Sequence, residues 1–133
     1  MLEEILQFVK QNLSEERAKH IFGTTTMCEK LAKIYGVDVE KAKLVGAAHD
    51  IAKEFSKEET LKYIKENDIE IDEIEKENLG LLHGKLAADI VKKKYGFDDE
   101  MVDAIKYHTT GYTNMSLLAK ILFAADALEE GRT

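Results

Sequence analysis

Apolar residues recur along this chain at helical spacing almost from end to end. Leu2, Ile5, Leu6, Val9 and Leu13 form a first amphipathic stripe. Ser14 is placed to cap a second helix running to about Tyr35, where Gly36 stops it. Asp38 caps a third that reaches about Lys53. Ser56 with Glu59 forms a capping box for a fourth, ending near Asn67. Asp72 to Asn78 reads as a weaker helical turn. Leu81 to Tyr95 is a further full helix stopped by Gly96, and Asp98 caps one that runs to about His108. Ser116 to Glu129 is the last helix, with Gly131 beyond it. No stretch of five or more residues alternates as a strand, and there is no linker, low-complexity tract or internal repeat. The expected fold is all-α, a helical bundle of about six to seven helices, in a single domain over residues 1–133.

The informative positions are polar residues where the pattern calls for apolar ones. On the third helix Ala42, Val45, Gly46, His49 and Lys53 share the inner stripe, with Asp50 beside them. On the second, Arg17, His20, Ile21, Thr24 and Cys28 cluster on one side, and Gly23 leaves room nearby. His83 lies on the inner face of its helix with Leu86, Ala87 and Ile90, His108 with Met101 and Ile105, and Asp126 with Ala119, Leu122 and Phe123. Any one of these histidines alone is more often a hydrogen-bonded core residue. Here all 4 histidines of the chain fall on inner faces, together with two carboxylates. A buried unpaired carboxylate is costly, and basic partners are few: Arg17, Lys53, Lys120 and Arg132. A metal centre satisfies four imidazoles and two carboxylates with one device, and six donors exceed what one tetrahedral zinc site needs.

Composition narrows the chemistry further. The formal charge is −7, which argues against a nucleic-acid surface but not against a phosphorylated small molecule, because bound metal ions supply local positive charge. There is 1 cysteine, which leaves no intrachain disulfide and fits a reducing cytoplasm. Cys28 has no activating base in sight and reads as a buried, inert thiol. The N-terminus carries acids at Glu3 and Glu4 and no basic segment, so it does not read as a signal peptide, and no apolar run approaches the roughly 20 residues of a membrane span. There is no glycine-rich phosphate loop. Tyr107 and Tyr112 flank a His-Thr-Thr-Gly segment; they read first as core-edge packing and second as a stacking surface for a nucleobase. The acidic run at 72–78 reads as a solvated face.

The ordered set of His, His-Asp, His, His and Asp resembles the HD superfamily of metal-dependent phosphohydrolases. Within it, R-A-K-H-I-F-G (17–23), A-A-H-D-I-A-K-E (47–54), L-H-G (82–84), H-T-T-G (108–111), M-S-L-L-A-K-I-L-F-A-A-D (115–126) and L-E-E-G-R (128–132) look like the symmetrical bis(5'-nucleosyl)-tetraphosphatases of bacteria, which cleave diadenosine tetraphosphate to two ADP. The resemblance implies an HD-domain helical bundle with two divalent or trivalent metal ions. Iron is the first choice, and manganese, zinc, nickel or magnesium are alternatives. It implies His20, His49, Asp50, His83, His108 and Asp126 as ligands, with Asp50 bridging. It places Lys53 at the basic position of the HD-x-x-K motif, so Asp50 and Lys53 are the expected catalytic residues. Arg17, Lys53, Thr109, Thr110, Gly111 and Arg132 fall on the phosphate-binding side. Proteins of this type continue past the A-D-x-x-E-x-x-R segment, so the chain, which stops at Thr133, reads as shortened at its C-terminus.

The expected activity is metal-assisted hydrolysis of a nucleotide or dinucleotide polyphosphate, without nucleic acid or membrane partners. Two alternatives stay open on the same donors: an HD-fold di-iron oxygenase, and a metal- and nucleotide-binding module without turnover. A homodimer is expected as well, because the outer apolar positions Leu117, Ile121 and Leu128 of the last helix read as uncovered.

Overall fold

A computed structural model describes residues 1–130. Among these the chain forms α1 (Leu2–Asn12), α2 (Glu15–Tyr35), α3 (Val39–Ala48), α4 (Lys57–Glu66), α5 (Glu73–Glu77), a 3-10 turn (Leu79–Leu82), α6 (His83–Tyr95), α7 (Asp99–Lys106) and α8 (Leu117–Glu130). The count exceeds the expected six to seven because the five-residue α5 is a true helix, closed by its own capping box between Asp72 and Glu75. The expected caps are in place. Ser14, Asp38 and Asp98 each accept from the backbone N–H three residues on, and Ser56 and Glu59 cap each other. Gly36 and Gly96 end α2 and α6 with φ of 71° and 65°, a conformation that side chains with a Cβ resist.

The long α2 lies against α3 and α8, α7 packs on α6 and α8, and α1 covers α3. The core between them contains Ile21, Val45, Leu86, Ile105, Leu118 and Leu122, all buried. Each fully buried side chain of this size contributes about 1.5–3 kcal/mol, so this frame holds most of the stability. Two glycines set how closely the helices approach. A Cβ on Gly46 would lie 3.0 Å from the Thr25 Cα and 3.1 Å from the Cys28 Sγ, so α3 can sit this close to α2 only without one. A Cβ on Gly84 would lie 3.0 Å from the Lys106 carbonyl oxygen and 3.1 Å from that of Ile105, which does the same for α6 against the end of α7.

Several element ends differ from expectation. The third helix stops at Ala48 instead of reaching Lys53; residues 49–54 continue as tight turns, with Lys53 N–H donating to the Asp50 carbonyl at 3.0 Å. The cause is local. His49 Nδ1 bonds the Gly46 carbonyl at 2.7 Å, the acceptor that the next helical N–H would have used. His108 Nδ1 likewise bonds the Ile105 carbonyl at 2.6 Å, but α7 itself has ended earlier, at Lys106. The expected helix from Leu81 starts two residues later, at His83, behind the 3-10 turn. Ile121 is buried at 3% exposure, against expectation, whereas Leu117 and Leu128 are exposed. By contrast with the frame, only Thr60 is buried between residues 56 and 81. Among the described residues no helix is long and apolar enough to cross a membrane.

Candidate metal centre

Five side chains from five places in the chain converge on one carboxylate. Asp50, in the turn after α3, is itself buried. Its Oδ2 faces His20 Nε2 from α2 at 3.6 Å and His49 Nε2 at 3.5 Å. Its Oδ1 faces His83 Nε2 at 3.3 Å and His108 Nε2 at 3.3 Å. Asp126 of α8 closes the first side, with Oδ1 at 2.9 Å from His20 Nε2 and 3.2 Å from His49 Nε2. The donors thus fall into two groups, His20–His49–Asp50–Asp126 and Asp50–His83–His108, each with its ligand atoms within 4.8 Å of one another. All six residues named from the sequence are brought together.

The protonation pattern tests whether a cation fits. A carbonyl can only accept, so His49, His83 and His108, which bond the Gly46, Gly80 and Ile105 carbonyls through Nδ1, carry their proton there. With Nδ1 committed to a carbonyl, each ring turns its Nε2 inward. His83 Nε2 and His108 Nε2 stand 3.1 Å apart and both face an anionic oxygen. Ring nitrogens and a carboxylate this close repel unless protons or a metal cation lie among them, and backbone-anchored imidazoles are the usual support of metal ligands. The electrostatics agree. Burial alone would raise the Asp50 pKa, but His49 and the hydrogen bonds to His108 and His83 hold it well below the carboxylate range. Burial opposes charge on His49, but Asp50 and Asp126 outweigh it and push its pKa up. The cluster as a whole favours added positive charge.

Around this centre the other expected residues separate. Arg17 reaches the cluster itself: its Nη1 donates to Asp50 Oδ2 at 2.8 Å, half-buried. Lys53 is exposed, because its turn replaces the expected helical face, but it lines a cleft of about 370 Å³ that has His83 in its wall. Thr109 and Thr110, exposed after α7, line a different cleft with Leu81, Lys85 and Tyr107, so the structure does not bring them together with Lys53. Gly111 turns the chain at φ 71° against Met115 and Phe123. Arg132 lies outside the described residues. The Tyr107 and Tyr112 rings pack on each other, 4.8 Å apart. Cys28 is buried as expected, and burial first, then Asp126, pushes its thiol up to about 12. Sequence reasoning passed over Gly80, whose carbonyl anchors His83, over Gly84, which lets the end of α7 and His108 approach α6, and over Lys57 and Lys76, which line the Lys53 cleft.

Fold and site together define a helical metal-binding domain of the HD class, in which a His-Asp doublet is completed by histidines and an aspartate from neighbouring helices. The HD domain family matches residues 17–131. The chain is 41% identical over 128 residues to "Bis(5'-nucleosyl)-tetraphosphatase, symmetrical" of Halalkalibacterium halodurans, covering 96% of this chain and 68% of that protein. It is 37% identical to the protein of the same name from Bacillus subtilis, covering 98% and 70%. The crystal structure of a protein described as a predicted HD superfamily hydrolase involved in NAD metabolism, from Clostridium acetobutylicum, superposes with a TM-score of 0.91 at 37% identity over 100% of this chain and 71% of that one. The chain therefore belongs to the HD domain family, in its branch of symmetrical bis(5'-nucleosyl)-tetraphosphatases.

Proposed function

We propose that this protein is a metal-dependent phosphohydrolase that cleaves diadenosine tetraphosphate, or a closely related dinucleotide, symmetrically to two ADP. The observation that carries the reading is the shared carboxylate: Asp50 offers one oxygen to each of two donor groups. Two metal ions held in this way, with iron favoured by the imidazole-plus-carboxylate donors, would supply Lewis-acid polarisation of phosphate oxygens and a water acidic enough to attack at neutral pH.

The chain's own residues supply the rest. His20, His49, Asp126, His83 and His108 are held from five separate backbone positions, so the ligand geometry is preorganised. Arg17, on Asp50 Oδ2, orients the bridging carboxylate and neutralises part of its charge. Lys53 lines the cleft that reaches His83, where its ammonium neutralises charge on phosphate oxygens as the anhydride breaks.

The test is a product assay. Protein purified anaerobically and reconstituted with iron or manganese is given diadenosine tetraphosphate, and nucleotides are separated by chromatography while oxygen is monitored. ADP as the sole nucleotide product, with no oxygen uptake, supports the reading. ATP plus AMP rejects symmetric cleavage, oxygen uptake moves the assignment to an oxygenase, and no turnover with bound nucleotide leaves a binding module.

A further inference from the structure

The cleft beside His83 carries more positive charge than the reaction centre itself requires. Lys53, Lys57 and Lys76 line it, against a single acid, Glu77. The chain as a whole carries −7, so this local excess runs against the overall charge. Lys57 is the first residue of α4, where a cation faces the positive end of the helix dipole, so helix stability does not account for it. Among the described residues neither Lys53 nor Lys57 has a carboxylate within ion-pair distance. Lys76 has only Glu73 at 3.4 Å, both side chains exposed, a pair weak enough to exchange for a phosphate.

We propose that Lys57 and Lys76 bind phosphates of the substrate chain remote from the bond that breaks, so that this cleft selects long polyphosphates over short ones. The inference rests on the phosphohydrolase reading above. Lys53 is the cation assigned above to the reacting phosphate, and Lys57 and Lys76 add two more cations to the same cleft, from the start of α4 and from α5. They are specificity residues; they touch the substrate but not its reacting atoms.

The test uses metal-loaded protein with K57M/K76M, and K62M/K65M as a control. The control removes the same charge from exposed positions of α4 that do not line the cleft. Binding of inorganic tripolyphosphate and of orthophosphate is measured by calorimetry, and KM for diadenosine tetraphosphate by product assay. K57M/K76M is expected to weaken tripolyphosphate binding and raise KM by about 10-fold, as expected for two lost charge-assisted contacts, with orthophosphate binding and metal content little changed. The control is expected to stay within about 2-fold of wild type on both measures, since exposed charges outside the cleft are screened. Wild-type binding and KM in K57M/K76M, equal losses in both double variants, or no tripolyphosphate binding by the wild type would each overturn the proposal. If the wild type fails to cleave the dinucleotide yet binds tripolyphosphate through Lys57 and Lys76, the activity assignment falls and the cleft assignment stands.

Discussion

Two junctions present imidazoles to the same carboxylate from opposite sides, and they hold them by different means. At the α2–α3–α8 junction, His20 and Asp126 stand within long helices, and His49 is fully buried behind the close Gly46 contact. At the α6–α7 junction, His83 is the first residue of its helix and His108 lies just beyond the end of α7. Like that of His49, their rings bond the carbonyl three residues back, but the Gly80 carbonyl belongs to the exposed stretch between residues 56 and 81. Core packing sets the first donor group. Two turns set the second, and one of those turns also lines the lysine cleft. The difference teaches that His83, the ring beside the lysine cleft, rests on the least buried part of the molecule, where a ligand has the most scope to adjust it.

Removing what the junctions share is expected to have the largest effect. Asp50→Ala takes the common ligand from both groups and leaves Arg17 without its acceptor. It should lose both metals and all turnover, and lower Tm, which elemental analysis and a thermal melt would show. Next comes Lys53→Met. Turnover should fall by roughly 10²-fold through lost transition-state charge stabilisation, with metal content intact. Wild-type kinetics in that variant would return Lys53 to a surface charge.

The two glycines separate the junctions more finely. In Gly84→Ala the new methyl presses on the Ile105 carbonyl that orients His108. In Gly46→Ala it presses on Thr25 and Cys28 in the core. Overpacking costs about 1–3 kcal/mol in either place. Gly84→Ala should therefore lose activity and part of its metal first, because the carbonyl it presses on orients a ring of the cluster. Gly46→Ala should lose Tm first. Equal Tm losses with equal metal content would erase the distinction.

A smaller effect lies in the link between the junctions. Asp98, the cap of α7, pairs with Lys41 of α3 at 2.7 Å. Lys41, then the Met101 N–H, hold the Asp98 carboxyl below its usual range. A depressed carboxylate contributes stability that is present above its unfolded pKa and lost as pH falls through the folded one. Asp98→Asn keeps a capping side chain and removes the titration. Wild type should thus lose slightly more stability than Asp98→Asn between about pH 5 and about pH 3, measured by urea denaturation.

The donor set was legible because histidine and aspartate on apolar faces break a helical pattern that is otherwise regular, and the order of the breaks is itself distinctive. The end of α7 was legible to within two residues, but the end of α3 before His49 was not, because the ring that captures the Gly46 carbonyl leaves the periodicity of the sequence unchanged. Arg17 read as a phosphate ligand from its motif, whereas its bond to Asp50 depends on how α2 meets the turn after α3. Ile121 read as outward from the stripe of α8, but neighbouring helices cover more of that helix than a single face. Lys57 and Lys76 are ordinary surface lysines in sequence, and only the fold brings them to one cleft.

The central claim is that two metal groups share Asp50, and counting metal in single-ligand variants tests it most directly. The wild type should bind two metals per chain after reconstitution, and His83→Ala or His108→Ala should bind about one, with no turnover. Full metal content and full activity in both variants would contradict the account and return His83 and His108 to the core.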